Sequence, residues 1–196
     1  MITTEQIKEL RDETGVSVMQ CKKALEETGG DKEKALLVLR KKSSDIAAKK
    51  GDRELGAGVV ESYIHSNKTV GVLIELACET DFVARNEDFV TMARDIAMHI
   101  AAMNPEYTDA SQITDDVRAK VTEMFKKEVS ESGKPADIQT KMMDGKLATY
   151  FGERALLSQS FVKNPDLTIQ DLVNGGVQKF GEKIAVSRFV RFAVGK

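Results

Sequence analysis

Residues 75–86 have the sequence ELACETDFVARN, and within them the chain changes from a β pattern to a helical one. Phe82 lies at this junction, and a helical pattern of apolar residues begins near Phe89. An unbroken helix would place Phe82 on the same face as Phe89 and bury both rings. An N-cap at Asn86 would end that register and leave Phe82 free to point elsewhere. The pattern therefore leaves two interpretations of Phe82, a core residue or a wedge offered to a partner.

Alternation with a period of two predicts strands on both sides of this stretch. Residues 59–64 and 70–76 alternate, and the turn residues 66–68 between them indicate a β-hairpin. A third strand is predicted at residues 184–194. The pattern places on one side of that strand Val186, Val190 and Phe192, and on the other side Ser187 and Arg191. A three-stranded antiparallel sheet with helices packed on one face is an α+β fold.

Three short helices are predicted in the first forty residues or so. Thr3 and Ser17 each stand three residues before a glutamine, which is the spacing of a capping box, and Asp31 can cap the third helix. Such a bundle is small enough to be a binding module. The change in composition after it predicts two domains, a three-helix partner-binding module with linker in residues 1–52 and an α+β core in residues 53–196.

The segment at residues 40–53 is rich in lysine and arginine, and two interpretations of it stay open. It is a solvated linker or helix end, or it is a patch that steers RNA or a protein partner through Lys41, Lys42, Lys49 and Lys50. The formal net charge of -2 argues against a general attraction to nucleic acid.

Four further helices are predicted in the second half of the chain. Asn86 is a plausible N-cap for a long helix that closes at residues 104–105. Two helices within about residues 112–150 form an antiparallel helical hairpin. Residues 162–167 are predicted to be a loop, after which Thr168 caps a last helix.

The residue types give no positive reason to expect an enzyme. No phosphate loop, dinucleotide fingerprint or zinc spacing is present, so we expect neither a cofactor nor a metal. Cys21 and Cys78 lie far apart, which is typical of a reducing cytoplasm, and no apolar run reaches membrane-spanning length. Cys78 is interpreted as a buried small side chain or as an intermolecular thiol contact. His99, on a helix, is more often a structural residue than a base.

Several stretches, in order along the chain, are similar to bacterial and organellar translation elongation factor Ts. The first is LRDETG at residues 10–15, which continues as MQCKKAL at 19–25, and the second is TDFVARN at residues 80–86. Further similarity lies at residues 96–102, 132–135 and 159–162.

This resemblance implies a guanine-nucleotide exchange factor for GDP-bound elongation factor Tu. It implies that the N-terminal helices resemble a ubiquitin-associated domain and dock on the partner's GTPase domain. By residue match, that contact belongs to Leu10, Arg11, Val18 and Met19. The segment implicated in displacing the partner's Mg²⁺ matches Thr80, Asp81, Phe82 and Val83. Asp81 and Phe82 would approach the switch region, with Phe82 prising helices apart, and His99 matches a position near the interface.

The resemblance also implies an oligomeric state, and one alternative function stays open. Longer members of the family carry two copies of the α/β core, whereas this chain has room for one, so it resembles the short form and a homodimer is implied. The alternative function is an adaptor whose three-helix module binds ubiquitin-like or ribosomal partners without altering a nucleotide. We expect no membrane contact and no direct nucleic-acid partner.

Overall fold

The computed structural model describes residues 2–195 and has the predicted α+β fold. The helices are α1 Thr4–Thr14, α2 Val18–Glu27, α3 Lys32–Lys49, α4 Asp81–Ala84, α5 Glu87–Met103, α6 Asp115–Ser130, α7 Ala136–Gly152 and α8 Ile169–Phe180. The strands are β1 Ala57–Ile64, β2 Val70–Cys78, β3 Ser160–Phe161, β4 Asn164–Thr168 and β5 Ile184–Ala193. The main sheet is antiparallel with the order β1-β2-β5, so the three predicted strands are confirmed.

The three N-terminal helices begin at the predicted capping residues. Thr3 and Gln6 form a complete capping box, and the side chains of Ser17 and Asp31 accept hydrogen bonds from the first turns of α2 and α3. Gly15 ends α1 in the left-handed conformation, with a φ of 66°. The three helices enclose a small core of their own, made of Leu10, Val16, Cys21, Ala24, Leu25, Ala35 and Leu39.

Helix α3 continues through much of the basic segment that follows the bundle and ends at Lys49, so that part of the segment is helical. Its second half lies against α8. The hydroxyl of Ser43 donates to the amide oxygen of Gln178, and Asn174 Nδ2 donates to Ser44 Oγ at 3.2 Å. Ile46 and Ala47 of α3 also pack against the main core, so the N-terminal helices are joined to the rest of the protein by both polar and apolar contacts. The division of the chain at residue 52 stays a prediction.

The main core lies between the inner face of the sheet and helices α5 and α8. Strand β2 contributes Val72, Ile74 and Leu76, which are almost completely buried. The ring of Phe89 is fully buried and meets Phe180 edge-on, with 5.8 Å between the ring centroids. The predicted helical hairpin is present as α6 and α7.

Two sequence predictions about this half of the chain are wrong. Residues 162–167 are not simply loop, because β4 pairs with β3 and forms a second, two-stranded sheet. The alternation predicted for the last strand also fails. Glu75 pairs with Arg188 while Leu76 pairs with Val186, so Ser187 is an extra residue that forms a β-bulge.

The bulge moves the residues after Ser187 to the opposite face of the sheet. Val186 points inward and is buried, whereas Val190 and Phe192 point outward and are exposed. Arg191 takes the inward position instead, and its guanidinium donates to the carbonyl of Ala101 at 3.1 and 3.2 Å. The outer face of the sheet is therefore more apolar than the simple alternation predicts.

Candidate partner-binding site

The Thr80–Val83 segment comprises the N-cap and the first three residues of α4, a single helical turn between β2 and α5. Val83 and Ala84 face the core and are 4% and 9% exposed. Phe82, on the opposite side of the same turn, is 85% exposed. Asp81 is also exposed and lies 3.8 Å from the guanidinium of Arg85. The turn is thus anchored by its apolar side and presents an aromatic ring and a carboxylate to solvent.

The N-cap at Asn86 decides between the two interpretations of Phe82. Its side chain accepts a hydrogen bond from the N–H of Asp88 at 2.9 Å, and its backbone is extended. Helix α5 therefore begins at Glu87, and Phe82 does not share its register with Phe89. Phe89 enters the core while Phe82 stays outside it, so Phe82 is not a core residue of this chain.

The end of β2 is fastened to the turn between α8 and β5. Glu79 Oε1 accepts a hydrogen bond from the backbone N–H of Lys183 at 2.5 Å, and the Glu79 carboxylate pairs with Arg53 at 3.1 Å. The Lys183 N–H, followed by the Arg53 guanidinium, holds the pKa of Glu79 below its ordinary value. The Lys183 ammonium also donates to the carbonyls of Gly51 and Arg53. These contacts hold the segment that precedes Thr80 in one place.

The N-terminal residues matched to the partner contact differ in exposure. Arg11, Val18 and Met19 are exposed, whereas Leu10 is fully buried inside the three-helix core. Leu10 can therefore support a contact surface but does not reach the surface itself. Met19 is 79% exposed, and a flexible thioether in that position suits an adaptable protein contact.

Both exposed regions lie beside the C-terminal end of α8. Gln20, next to Met19, accepts a hydrogen bond from Gln178 Nε2 at 3.0 Å. Glu182, four residues beyond Gln178, bonds Thr80. The structure thus brings the two matched surfaces to the same end of one helix.

The structure does not bring His99 to this place. It lies about 18 Å along α5 from the start of that helix, at a rise of 1.5 Å per residue. The ring is fully buried, so in this conformation it makes no direct contact with a partner. Nδ1 accepts from the N–H of Val162 at 3.2 Å, which leaves Nε2 to donate to Gln159 Oε1 at 2.9 Å. His99 is thus held as the neutral tautomer that carries its proton on Nε2.

Burial lowers the pKa of His99, and this predicts a stability change with pH. As the pH falls below about 6.5, the unfolded chain binds a proton at this site before the folded chain does. The contribution of His99 is fully present above that pH and is lost below it, at up to about 1.4 kcal/mol per pH unit. Urea unfolding between about pH 5 and pH 7.5 should show that the unfolding free energy of His99→Gln depends less on pH than that of the wild type. His65→Gln, at the exposed hairpin turn, is the control; equal slopes for wild type and His99→Gln would contradict the prediction.

Cys78 is fully buried beneath the segment. Its thiol donates to the carbonyl of Thr80 at 3.3 Å, and burial, followed by the charge of Glu182, raises its pKa. In this conformation the thiol is a structural contact of Thr80.

Glu79, Glu182 and Lys183 belong to none of the motifs that predicted the site. Glu79 stands directly before the matched motif, and the other two follow Gly181, the residue that ends α8. In the sequence, only their positions next to the ends of predicted elements could have indicated a role for these three residues. Among residues 2–195, no three histidine, cysteine or acidic side chains are grouped as a metal site would require. In the same part of the chain, every helix is too short or too polar to cross a membrane.

An exposed aromatic ring on an anchored turn, beside a second exposed apolar region, is typical of a protein whose function is to bind another protein. The family model for elongation factor Ts matches residues 45–196. Elongation factor Ts of Thermosipho melanesiensis is 46% identical over 196 residues, which cover 100% of both chains. That of Thermodesulfovibrio yellowstonii is 49% identical over 195 residues, covering 100% of this chain and 97% of the relative. The chain belongs to the elongation factor Ts family and is a translation elongation factor.

Proposed function

We propose that the chain is a guanine-nucleotide exchange factor for elongation factor Tu and acts on its GDP-bound form. The observation that carries this proposal is the 85% exposure of Phe82 on a turn whose other side is buried. Its position in the family motif supports the same assignment. As a translation factor it acts where ribosomes are, in the cytoplasm.

In this proposal the Thr80–Val83 segment displaces the Mg²⁺ bound to the partner and opens its switch region. Phe82 is the wedge, Asp81 accompanies it, and the buried Val83 anchors the turn. Burying one phenylalanine ring yields roughly 1.5–3 kcal/mol, which is about one to two powers of ten in a rate or equilibrium constant. A larger acceleration of GDP release requires a second source. Loss of the Mg²⁺ that bridges the phosphates supplies it, because that ion neutralises much of their charge.

The N-terminal helices provide the second contact, through Arg11, Val18 and Met19, with Leu10 supporting them from the core. Coupling between the two ligands of the partner is reciprocal, so a factor that weakens GDP binding is itself weakened by GDP to the same degree. Excess Mg²⁺-GDP therefore reverses the complex. The direction of exchange is set by the nucleotide concentrations and not by the factor.

Release of fluorescently labelled GDP from elongation factor Tu, with and without this chain, tests the proposal. Faster release supports it, and complex formation with an unchanged release rate would favour the adaptor instead. Binding to RNA through Lys41, Lys42, Lys49 and Lys50 would be revealed by a steep dependence of that binding on salt.

We also propose that two copies of the chain pair through the outer face of the main sheet. One face of this sheet covers the core, while the other carries a group of exposed apolar side chains that nothing in residues 2–195 covers. They are Val60, Ile64, Leu73, Val190, Phe192 and Val194. Glu75 and Arg188 form an ion pair at 2.7 Å on the same face, so a charged pair accompanies the apolar group. A second copy would supply the second core unit that the longer members contain.

Phe192→Glu is expected to weaken this dimer by about tenfold or more, because a symmetric interface buries each substituted side chain twice. Phe192 is 68% exposed in the single chain, so the substitution should leave the fold intact. Sedimentation equilibrium over a range of concentrations measures the effect. Met124→Glu, an exposed apolar position on α6, is the matched control. A monomeric wild type, or a dimer that Phe192→Glu does not weaken, would contradict the pairing.

A further inference from the structure

Glu182 accepts two hydrogen bonds from Thr80, at the start of the Thr80–Val83 segment, and one from the preceding residue, Glu79. It lies in the turn between α8 and β5, 102 residues further along the chain than Thr80. Its Oε2 accepts from the backbone N–H groups of Glu79 and Thr80 at 3.1 and 3.0 Å. Its Oε1 accepts from the hydroxyl of Thr80 at 2.6 Å. One carboxylate therefore binds both the backbone and the side chain of the N-cap residue of α4.

These bonds are matched by bonds in the opposite direction. Glu79 accepts from the backbone N–H of Lys183, so Glu79 and Glu182 each bind the backbone of the segment that carries the other. The thiol of Cys78 donates to the carbonyl of Thr80 from the core side. Thr80 is thus fixed at its N–H, its carbonyl and its hydroxyl.

The Thr80 hydroxyl does not cap α4. Thr80 is the N-cap residue of that helix, but its side chain makes no capping hydrogen bond, and its hydroxyl donates to Glu182. A helix of one turn is unstable without outside support. Burial of Val83 and Ala84 supports its C-terminal half, and the bonds to Glu182 hold the residue at its start.

We propose that Glu182 is a positioning residue for exchange, which sets the direction of Phe82 by fixing Thr80. Glu182 acts through Thr80 and does not need to touch the partner. This inference rests on the proposed exchange function.

Glu182→Ala is expected to lower the maximal rate of stimulated GDP release by about tenfold, which lies within the one to two powers of ten that the Phe82 ring can supply. The concentration of factor at half-maximal rate should change by less than about twofold, since the N-terminal contact is unaltered. A general loss of structure would instead disturb both. Glu182→Gln keeps an oxygen that can accept from both N–H groups, so it should restore most of the rate. Glu128→Ala, which removes an exposed ion-pair partner of Lys146 on the helical hairpin, is the control.

Two further comparisons separate positioning from other effects. If Glu182 acts through the ring, then Glu182→Ala combined with Phe82→Ala should be no slower than Phe82→Ala alone. Amide hydrogen exchange of the free protein should speed up at Thr80 in Glu182→Ala and stay unchanged at Ala97 in the core. If Glu182→Ala does not fold, Glu182→Asp replaces it. Its oxygens are withdrawn by about one carbon–carbon bond, so it should be slower than Glu182→Gln although it keeps the charge.

The outcomes distinguish this inference from the function on which it rests. A wild-type chain that does not accelerate release defeats the proposed function, and the inference with it, whatever the amide exchange shows. If the wild type accelerates release, the inference is overturned by a maximal rate in Glu182→Ala equal to that of the wild type. It is also overturned by fully additive losses in the double variant, or by unchanged amide exchange at Thr80.

Discussion

Phe82→Ala is expected to slow the stimulated release of GDP by about one to two powers of ten, the value of burying one phenylalanine ring. Because the ring is 85% exposed in the free chain, its loss should change the unfolding free energy by no more than about 0.5 kcal/mol. Stopped-flow release of labelled GDP and urea unfolding of the same preparation measure the two quantities.

The control for this prediction is a second exposed apolar side chain away from the segment. Met124 on α6 is 56% exposed, and Met124→Ala should leave both release and unfolding unchanged. If the Phe82→Ala variant stimulates GDP release at the wild-type rate, Phe82 does not act as a wedge. A large loss of stability would show instead that Phe82 belongs to a packed interior.

Phe89→Ala is expected to lower the unfolding free energy by about 3–5 kcal/mol, the usual effect of truncating a buried phenylalanine. The ring is fully buried against Phe180, and its removal leaves a cavity between α5 and α8. Since the unfolding free energy of small proteins is about 5–15 kcal/mol, this loss is a large part of the total stability. Urea unfolding measures it, and a loss below about 1 kcal/mol would contradict the burial described for this ring.

The two substitutions form a pair that separates function from folding. Phe82 and Phe89 have the same side chain and lie on consecutive helices, yet one should affect release and the other stability. The side chain of Asn86 makes the difference, because its capping bond ends one helical register and begins the next.

Local signals in the sequence predicted much of the fold. Capping residues such as Thr3 and Thr168 start their helices, and Gly15 ends one, because these effects depend on neighbours within one turn. The alternation of residues 59–64 and 70–76 was enough for the hairpin. Such features are encoded within a few positions and are visible without the tertiary structure.

Features that depend on distant partners were not predictable in this way. The bulge at Ser187 exists through pairing with β2, and no local pattern marks it. The bonds from Glu182 to Thr80 join residues 102 positions apart. Strand β4 was missed because it pairs only with the two residues of β3. Of the matched residues, Phe82, Val18 and Met19 are exposed, while Leu10 and His99 are buried. The family match alone does not separate these two groups, because it assigns contact roles without reference to burial.

The most direct test of the exchange proposal is the release of labelled GDP from elongation factor Tu at millimolar Mg²⁺ and again with Mg²⁺ chelated. We expect the wild-type chain to accelerate release strongly when Mg²⁺ is present. When the ion has been removed, the acceleration should fall to about one to two powers of ten, the part that the ring of Phe82 can supply. A release rate at millimolar Mg²⁺ that is the same with and without the chain would contradict the account.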